Sequence, residues 1–124
     1  MRNHLRRAAT RVALLALLGA GCGPPAPETI SKGDPEQGAM LLSAHGCGGC
    51  HTIPGVSGAS GTIGPPLTGY ARRAYIAGKL PNRRDNLMLW IQDPQSIEPG
   101  TAMPNLAVNE AEALAMTAYL YTLR

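Results

Sequence analysis

The residues best equipped for chemistry sit together in "HGCGGCHTIPG", His45 to Gly55. Cys47 and Cys50 are separated by two glycines, and His51 follows the second cysteine directly. Such a set serves a zinc knuckle, a redox dithiol or a haem anchor. A structural zinc site needs four ligands, usually in two pairs. The remaining candidates are His45, His51 and Cys22, and His51 adjoins Cys50, so its side chain does not easily share one ion with it. A thioredoxin-like dithiol needs a βαβ surrounding and a helix N-terminus to lower the thiol pKa, and the chain has no alternating strand pattern. C-x-x-C-H is the pattern of c-type haem attachment. Cys47 and Cys50 would each form a thioether bond to the porphyrin edge, carrying His51 under the ring to ligate iron. His45 is expected at the surface, too near Cys47 to reach the far face of a ring.

The second axial position then needs a ligand. Five methionines are present, Met1, Met40, Met88, Met103 and Met116. Met40, Met88 and Met116 fall on expected helices at positions that suit a core. Met103 lies instead in the Gly/Pro-bounded loop "EPGTAMPNL", stiffened by Pro104. A loop of that kind can bring a thioether to the far face of a ring, so Met103 is the candidate.

The elements that position these residues belong to one small domain, which is all that 124 residues allow. Residues 1–21 read as an export signal: Arg2, Arg6, Arg7 and Arg11 precede the apolar run Val12 to Leu18 and then small residues. That run is too short to span a bilayer comfortably. Cys22, in "LLGAGC", resembles the lipidated first residue of bacterial lipoproteins, with Gly19 standing where those signals usually carry Leu. Removing 1–21 leaves seven basic and eight acidic residues, a net charge of −1. The basic pI of the whole chain is therefore no argument for nucleic-acid binding.

Residues 22–33, rich in Pro and small or polar side chains, read as a flexible tether. The folded domain is expected over 34–124. Asp34 with Pro35 and Glu36 signals a helix start. "RRDNLMLWIQDP" reads as a short helix closed by Pro94. "NEAEALAMTAYLYTL" reads as the last helix, capped by Asn109, with Glu110 and Glu112 at its positive end. Between Thr52 and Gly69 the chain is loop. The class is all-α with long loops, which are uncommon in a small domain unless something organises them. Phe is absent and aromatics are 4% of the chain, so a buried cofactor is expected to fill the centre.

"CGGCH", "GPPLTG" and "PGTAMP", in that order before a C-terminal helix, resemble the class I cytochromes c. The resemblance covers residues 34–124. It implies one covalent haem c wrapped by helices, with the first and last crossing at Gly38 and with Leu42 and Tyr119 packed around that crossing. Cys47 and Cys50 would hold the haem, His51 and Met103 would ligate its iron, and the carbonyl of Pro65 would accept the other ring N–H of His51. Arg73 matches a basic residue near the haem propionates, and Trp90 a tryptophan whose indole N–H reaches one. "YIAGKLPNRRDNLMLWIQDPQSIEPGTAMP" is further similar to the cytochrome c domain fused to subunit II of some haem–copper oxidases. Here no copper-binding domain precedes it in the sequence, which implies a separate, tethered carrier.

A His/Met pair leaves iron no open position, so the implied function is one-electron transfer in a respiratory chain, without catalytic turnover. Expected partners are an upstream quinol-oxidising complex or dehydrogenase, a downstream terminal oxidase, and a membrane reached through Cys22. The expected location is the periplasmic or outer face of a bacterial membrane. Gly48 and Gly49 would let a redox partner approach the thioether edge, and the cluster Arg72, Arg73, Lys79, Arg83 and Arg84 could steer it. Two other readings stand beside this one. The first is a haem-based sensor or peroxidase-like protein with a labile Met103, where His45 is a possible replacement ligand. The second is a subunit that passes electrons within a dehydrogenase.

Overall fold

The computed structural model describes residues 32–124. The expected export signal at 1–21, Cys22 and the expected tether up to residue 31 lie outside the described residues. Four helices and one hairpin follow in order: α1 (Pro35–Ala44), β1 (Tyr75–Ile76), β2 (Leu80–Pro81), α2 (Arg84–Gln92), α3 (Pro94–Ile97) and α4 (Glu110–Leu120). Short 3₁₀ turns lie at Cys47–Gly49 and Tyr70–Arg72. The helical class matches the expectation. The hairpin is an addition, too short for any alternation to reveal in the sequence.

Local chemistry fixes the ends of the outer helices. The Asp34 carboxylate accepts from the backbone N–H of Glu36 at 2.9 Å and of Gln37 at 3.3 Å, with Pro35 at the first helical position. At α4, Asn109 and Glu112 form a reciprocal capping box, each side chain accepting from the other's backbone N–H. Glu112 also meets His45, which caps the C-terminal end of α1, at 3.5 Å. The loop containing Met103 is preceded by a second proline-led start. Pro94 does end α2, but it also opens α3, with Asp93 capping Ser96.

α1 against α4 is the largest interface between elements. Gly38 is the point of closest approach: an added Cβ there would fall 2.7 Å from the Ala115 carbonyl carbon. Leu42 is buried beside it, and Tyr119 is half-buried, its hydroxyl donating to the Pro54 carbonyl at 2.6 Å. The crossing at Gly38 therefore stands as expected. Residue Gly33, assigned to the tether from sequence, already lies against Leu114 and Ala118 of α4.

All residues of the main buried cluster lie between Leu42 and Leu120, with Ile53, Ile76, Leu87 and Met116 almost fully enclosed. Of the methionines expected inside, Met116 is buried and Met88 half-buried. Met40 is 66% exposed, a correction: it points away from the face of α1 that carries Gly38 and Leu42. Among the described residues no helix is long and apolar enough to cross a membrane.

Candidate functional site

Cys47, Cys50 and His51 lie on one tight turn. Gly46, in the left-handed region at φ 73°, ends α1 and starts it, and the N–H groups of Cys50 and His51 both donate to the Cys47 carbonyl. The two cysteines are half-buried and form no disulfide. Burial pushes the Cys47 thiol pKa up, opposed by a backbone hydrogen bond and reinforced by Cys50. A redox dithiol needs the opposite shift. Among the described residues no three His, Cys, Asp or Glu side chains converge, so a zinc site has no ligand set either.

The loop after the turn folds back and grips it. Gly61 N–H donates to Gly48 O at 2.9 Å, Gly64 N–H to Cys50 O at 2.8 Å, and Leu67 N–H to Thr52 O at 2.8 Å. The Thr52 hydroxyl donates to Gly61 O at 3.0 Å. This brings the Pro65 carbonyl to 2.7 Å from His51 Nδ1. A carbonyl oxygen only accepts, so Nδ1 carries the N–H that donates to it, and in the neutral ring that tautomer puts the lone pair on Nε2. Gly64 lies flat on the same imidazole: a Cβ there would come within 2.7 Å of Nδ1 and 2.9 Å of Nε2.

Arg73 belongs to this half of the site. Its guanidinium donates to the carbonyl of Pro66, next to Pro65, and stacks 5.0 Å from the ring centre of buried Tyr70. Asn82 ties the strand of chain below it, its amide donating to Tyr70 O and Arg73 O. The Tyr121 hydroxyl completes the tie by donating to the Asn82 side-chain oxygen at 2.8 Å.

Trp90 and Met103 are the residues expected in the other half, carried on separate elements. Trp90 is half-buried on α2 against the core, and its indole N–H makes no hydrogen bond among the described residues. Met103 is half-buried in the loop after α3. That loop is held by Gln95, whose amide donates to Thr101 O at 2.8 Å and Met103 O at 2.9 Å while its oxygen accepts from Gly100 N–H at 3.1 Å. Among the described residues no hydrogen bond joins the two halves.

Sequence reasoning did not single out Gly64, Asn82 or Gln95. Their signals were present only as letters inside "GPPLTG", "LPN" and "DPQSI". The two glycines of "CGGC" also separate. Gly48 faces Ala59, whose Cα would lie 2.6 Å from an added Cβ, whereas Gly49 is open to solvent. Only Gly49 offers the outward approach expected of both.

The chemistry of these residues therefore fits a tetrapyrrole better than a bare ion: two half-buried thiols beside an imidazole held through Nδ1, a thioether on a braced loop, and an indole donor without an acceptor among the described residues. Comparison with known proteins agrees. The model of the cytochrome c family matches residues 35–124. The chain is 38% identical to cytochrome c oxidase subunit 2 of Alkalihalophilus pseudofirmus, over 72% of this chain and 25% of that one. It is 32% identical to the subunit of the same name from Bacillus subtilis, over 64% and 24%. The chain thus spans about a quarter of the length of these curated relatives. Cytochrome c2 of Rhodobacter sphaeroides has a similar fold, with a TM-score of 0.50 at 23% identity over 73% of this chain and 96% of that one. With its cysteine pair spaced for covalent haem c, its helical fold and a family match from the first helix to the last residue, the chain belongs to the class I cytochromes c.

Proposed function

We propose that this protein is a mono-haem, one-electron carrier of a respiratory chain, tethered to a membrane through Cys22 and donating to a terminal oxidase. The observation that carries the electron-transfer reading is the 2.7 Å contact between His51 Nδ1 and the Pro65 carbonyl. It fixes the tautomer, so that Nε2 is the nitrogen offered to iron, and it makes the imidazole a stronger donor. Met103 is the second ligand, on a loop whose backbone is braced by Gln95. The haem supplies a reversible one-electron couple, which a thioether ligand poises toward the reduced form.

The chain's own residues do the rest. Cys47 and Cys50 anchor the ring edge, while Trp90 and Arg73 supply N–H donors for its carboxylates, which would be costly to bury unmet. A ligand set closed by two side chains favours transfer over binding of oxygen or substrate. The similarity to cytochrome c oxidase subunit 2 supports an oxidase as the electron acceptor. The anchor reading rests on the sequence around Cys22.

The test is the far-red spectrum of the oxidised holoprotein beside that of Met103→Ala. A sulfur-to-iron charge-transfer band present in the parent and lost in the variant supports the His51/Met103 pair. Absence of the band in haem-loaded parent protein would favour the sensor or peroxidase-like reading with a labile methionine.

A further inference from the structure

We propose that Lys32, Arg72, Arg83, Arg84 and Arg124 form one face that docks on an anionic lipid surface, seating the domain at the end of α1 remote from the Cys47–His51 turn. This rests on the tethered reading of Cys22 for its biological setting, but the face itself is defined by contacts within the described residues.

The fold gathers these cations from four separate stretches of chain. Ala71 N–H donates to Leu123 O at 2.9 Å, which sets Arg72 and Arg124 beside one another along the backbone. Arg84 stacks 5.1 Å from the ring centre of Tyr121 and donates to the Lys32 carbonyl at 3.3 Å. Asn82 joins its stretch to Tyr70, Arg73 and Tyr121. All five residues are exposed. The side chains of Arg72, Arg83 and Arg124 make no hydrogen bond or ion pair among the described residues, so their charges are available.

The same contacts remove two residues from the cluster visible in sequence. Lys79 pairs with Glu98 at 2.9 Å. Arg73 turns inward to Pro66 O and the Tyr70 ring. The carboxylates nearest these five cations along the chain are Asp34, Asp85 and the terminal carboxylate of Arg124 itself, which still leaves the face net positive.

A lipid surface fits better than a redox protein for two reasons of position. Lys32 is where the tether enters the fold, ten residues after Cys22, so an anchor there holds this face within reach of the headgroups. The attachment turn begins at the opposite end of α1, a ten-residue helix about 15 Å long. From Gly46 to Ala71 the chain carries no Asp, Glu, Lys or Arg at all. The five cations and this charge-free stretch are thus separate along the chain, the two meeting where Arg72 adjoins the inward-turned Arg73. Basic side chains at an anionic leaflet each add to binding and lose effect beyond the screening length of the salt.

The test uses haem-loaded residues 23–124, which contain the entire buried cluster, with vesicles of phosphatidylglycerol or of phosphatidylcholine. Sedimentation with the first and not the second at low salt, with release as salt rises, is expected. The triple variant Arg72→Gln, Arg83→Gln, Arg124→Gln is expected to weaken binding by about tenfold or more. Ser57→Glu, Ser60→Glu, Thr62→Glu makes the same change in net charge on the charge-free stretch and is expected to weaken it far less. Equal losses in the two triples, or no preference for phosphatidylglycerol, overturn the proposal. So does retention on an acidic protein surface without vesicle binding, which would assign the face to a protein partner. The mass of the full chain taken from membranes tests Cys22 separately. An unmodified Cys22 with intact vesicle binding defeats the tether alone, and a lipidated Cys22 without vesicle binding defeats the face alone.

Discussion

Gln95 holds Met103 by its backbone: the Gln95 amide nitrogen donates to the Met103 carbonyl at 2.9 Å. The same side chain reaches Thr101 O and Gly100 N–H, so one residue at the start of α3 braces the whole turn that presents the thioether. Gln95→Ala removes all three bonds and leaves the Met103 side chain untouched. The loop should lose about 1–3 kcal/mol of support. On the proposed His51/Met103 ligation, added imidazole should then displace the thioether from oxidised protein with roughly tenfold higher apparent affinity, because the open loop is more populated. Titration of the far-red band with imidazole measures this. Identical curves for parent and variant would show that the loop is held by something other than Gln95.

Gly64 and His51 predict a different defect. A methyl group at Gly64 would enter the imidazole ring's own space, 2.7 Å from Nδ1. Either the ring tilts or the Pro65 carbonyl withdraws, and both disturb the bond that fixes the tautomer. Gly64→Ala should lower haem retention and shift the midpoint potential, whereas Gly49→Ala, on an open position of the same turn, should leave both nearly unchanged. Potentiometric titration of the pair checks this, and a Gly64→Ala protein with parental potential would count against the packing argument.

Much of this architecture was legible because its signals are local. Asp34 with Pro35, and Asn109 with Glu112, place helix starts from a few adjacent letters, and the structure has both caps. The hairpin was not legible, since two residues per strand give no alternation. Its turn depends on Ala77 and Gly78 both adopting positive φ, at 49° and 69°, which alanine rarely signals. The grouping of Cys47, Cys50, His51 and Pro65 was readable because they lie within one turn and the loop that closes on it. Gln95 was not, because its value depends on residues 98–103 folding back over it. The basic face was half visible: Lys79 and Arg73 leave it, and Lys32 and Arg124 enter it, through contacts that span up to 52 residues of chain.

The α1/α4 crossing gives a stability prediction free of the cofactor's own chemistry. Gly38 meets the Ala115 backbone so closely that an alanine must push the helices apart. Backbone cannot rotate aside as a side chain can. Gly38→Ala should cost about 3 kcal/mol or more, at the upper end of overpacking effects, despite alanine's better helix propensity. Met40→Ala, on the exposed side of the same helix, should change stability by less than about 0.5 kcal/mol. Denaturant unfolding of the two variants makes the comparison, and similar midpoints would mean that the crossing is not the tight point.

Tyr70 carries the pH dependence. It is 5% exposed, and burial raises its phenol well above the ordinary value of 10.0, with Arg73 lowering it and Tyr121 raising it further. Tyr121 is shifted upward as well, again mainly by burial, with Arg84 lowering it and Asp85 raising it. A phenol whose folded pKa is raised keeps its proton when the unfolded chain has already lost it. The folded state then binds more protons than the unfolded one, so stability is full below the unfolded value and falls as pH climbs past about 10. The Tyr70 hydroxyl makes no hydrogen bond among the described residues, so Tyr70→Phe removes the titration while keeping the ring under Arg73 and against Tyr121. The variant should match the parent at pH 8 and lose less stability between pH 10 and 12, with Tyr121→Phe flattening the slope further only at the cost of its bond to Asn82. Denaturant midpoints across that range decide it: parallel slopes for parent and Tyr70→Phe would mean that alkaline unfolding is governed by another group.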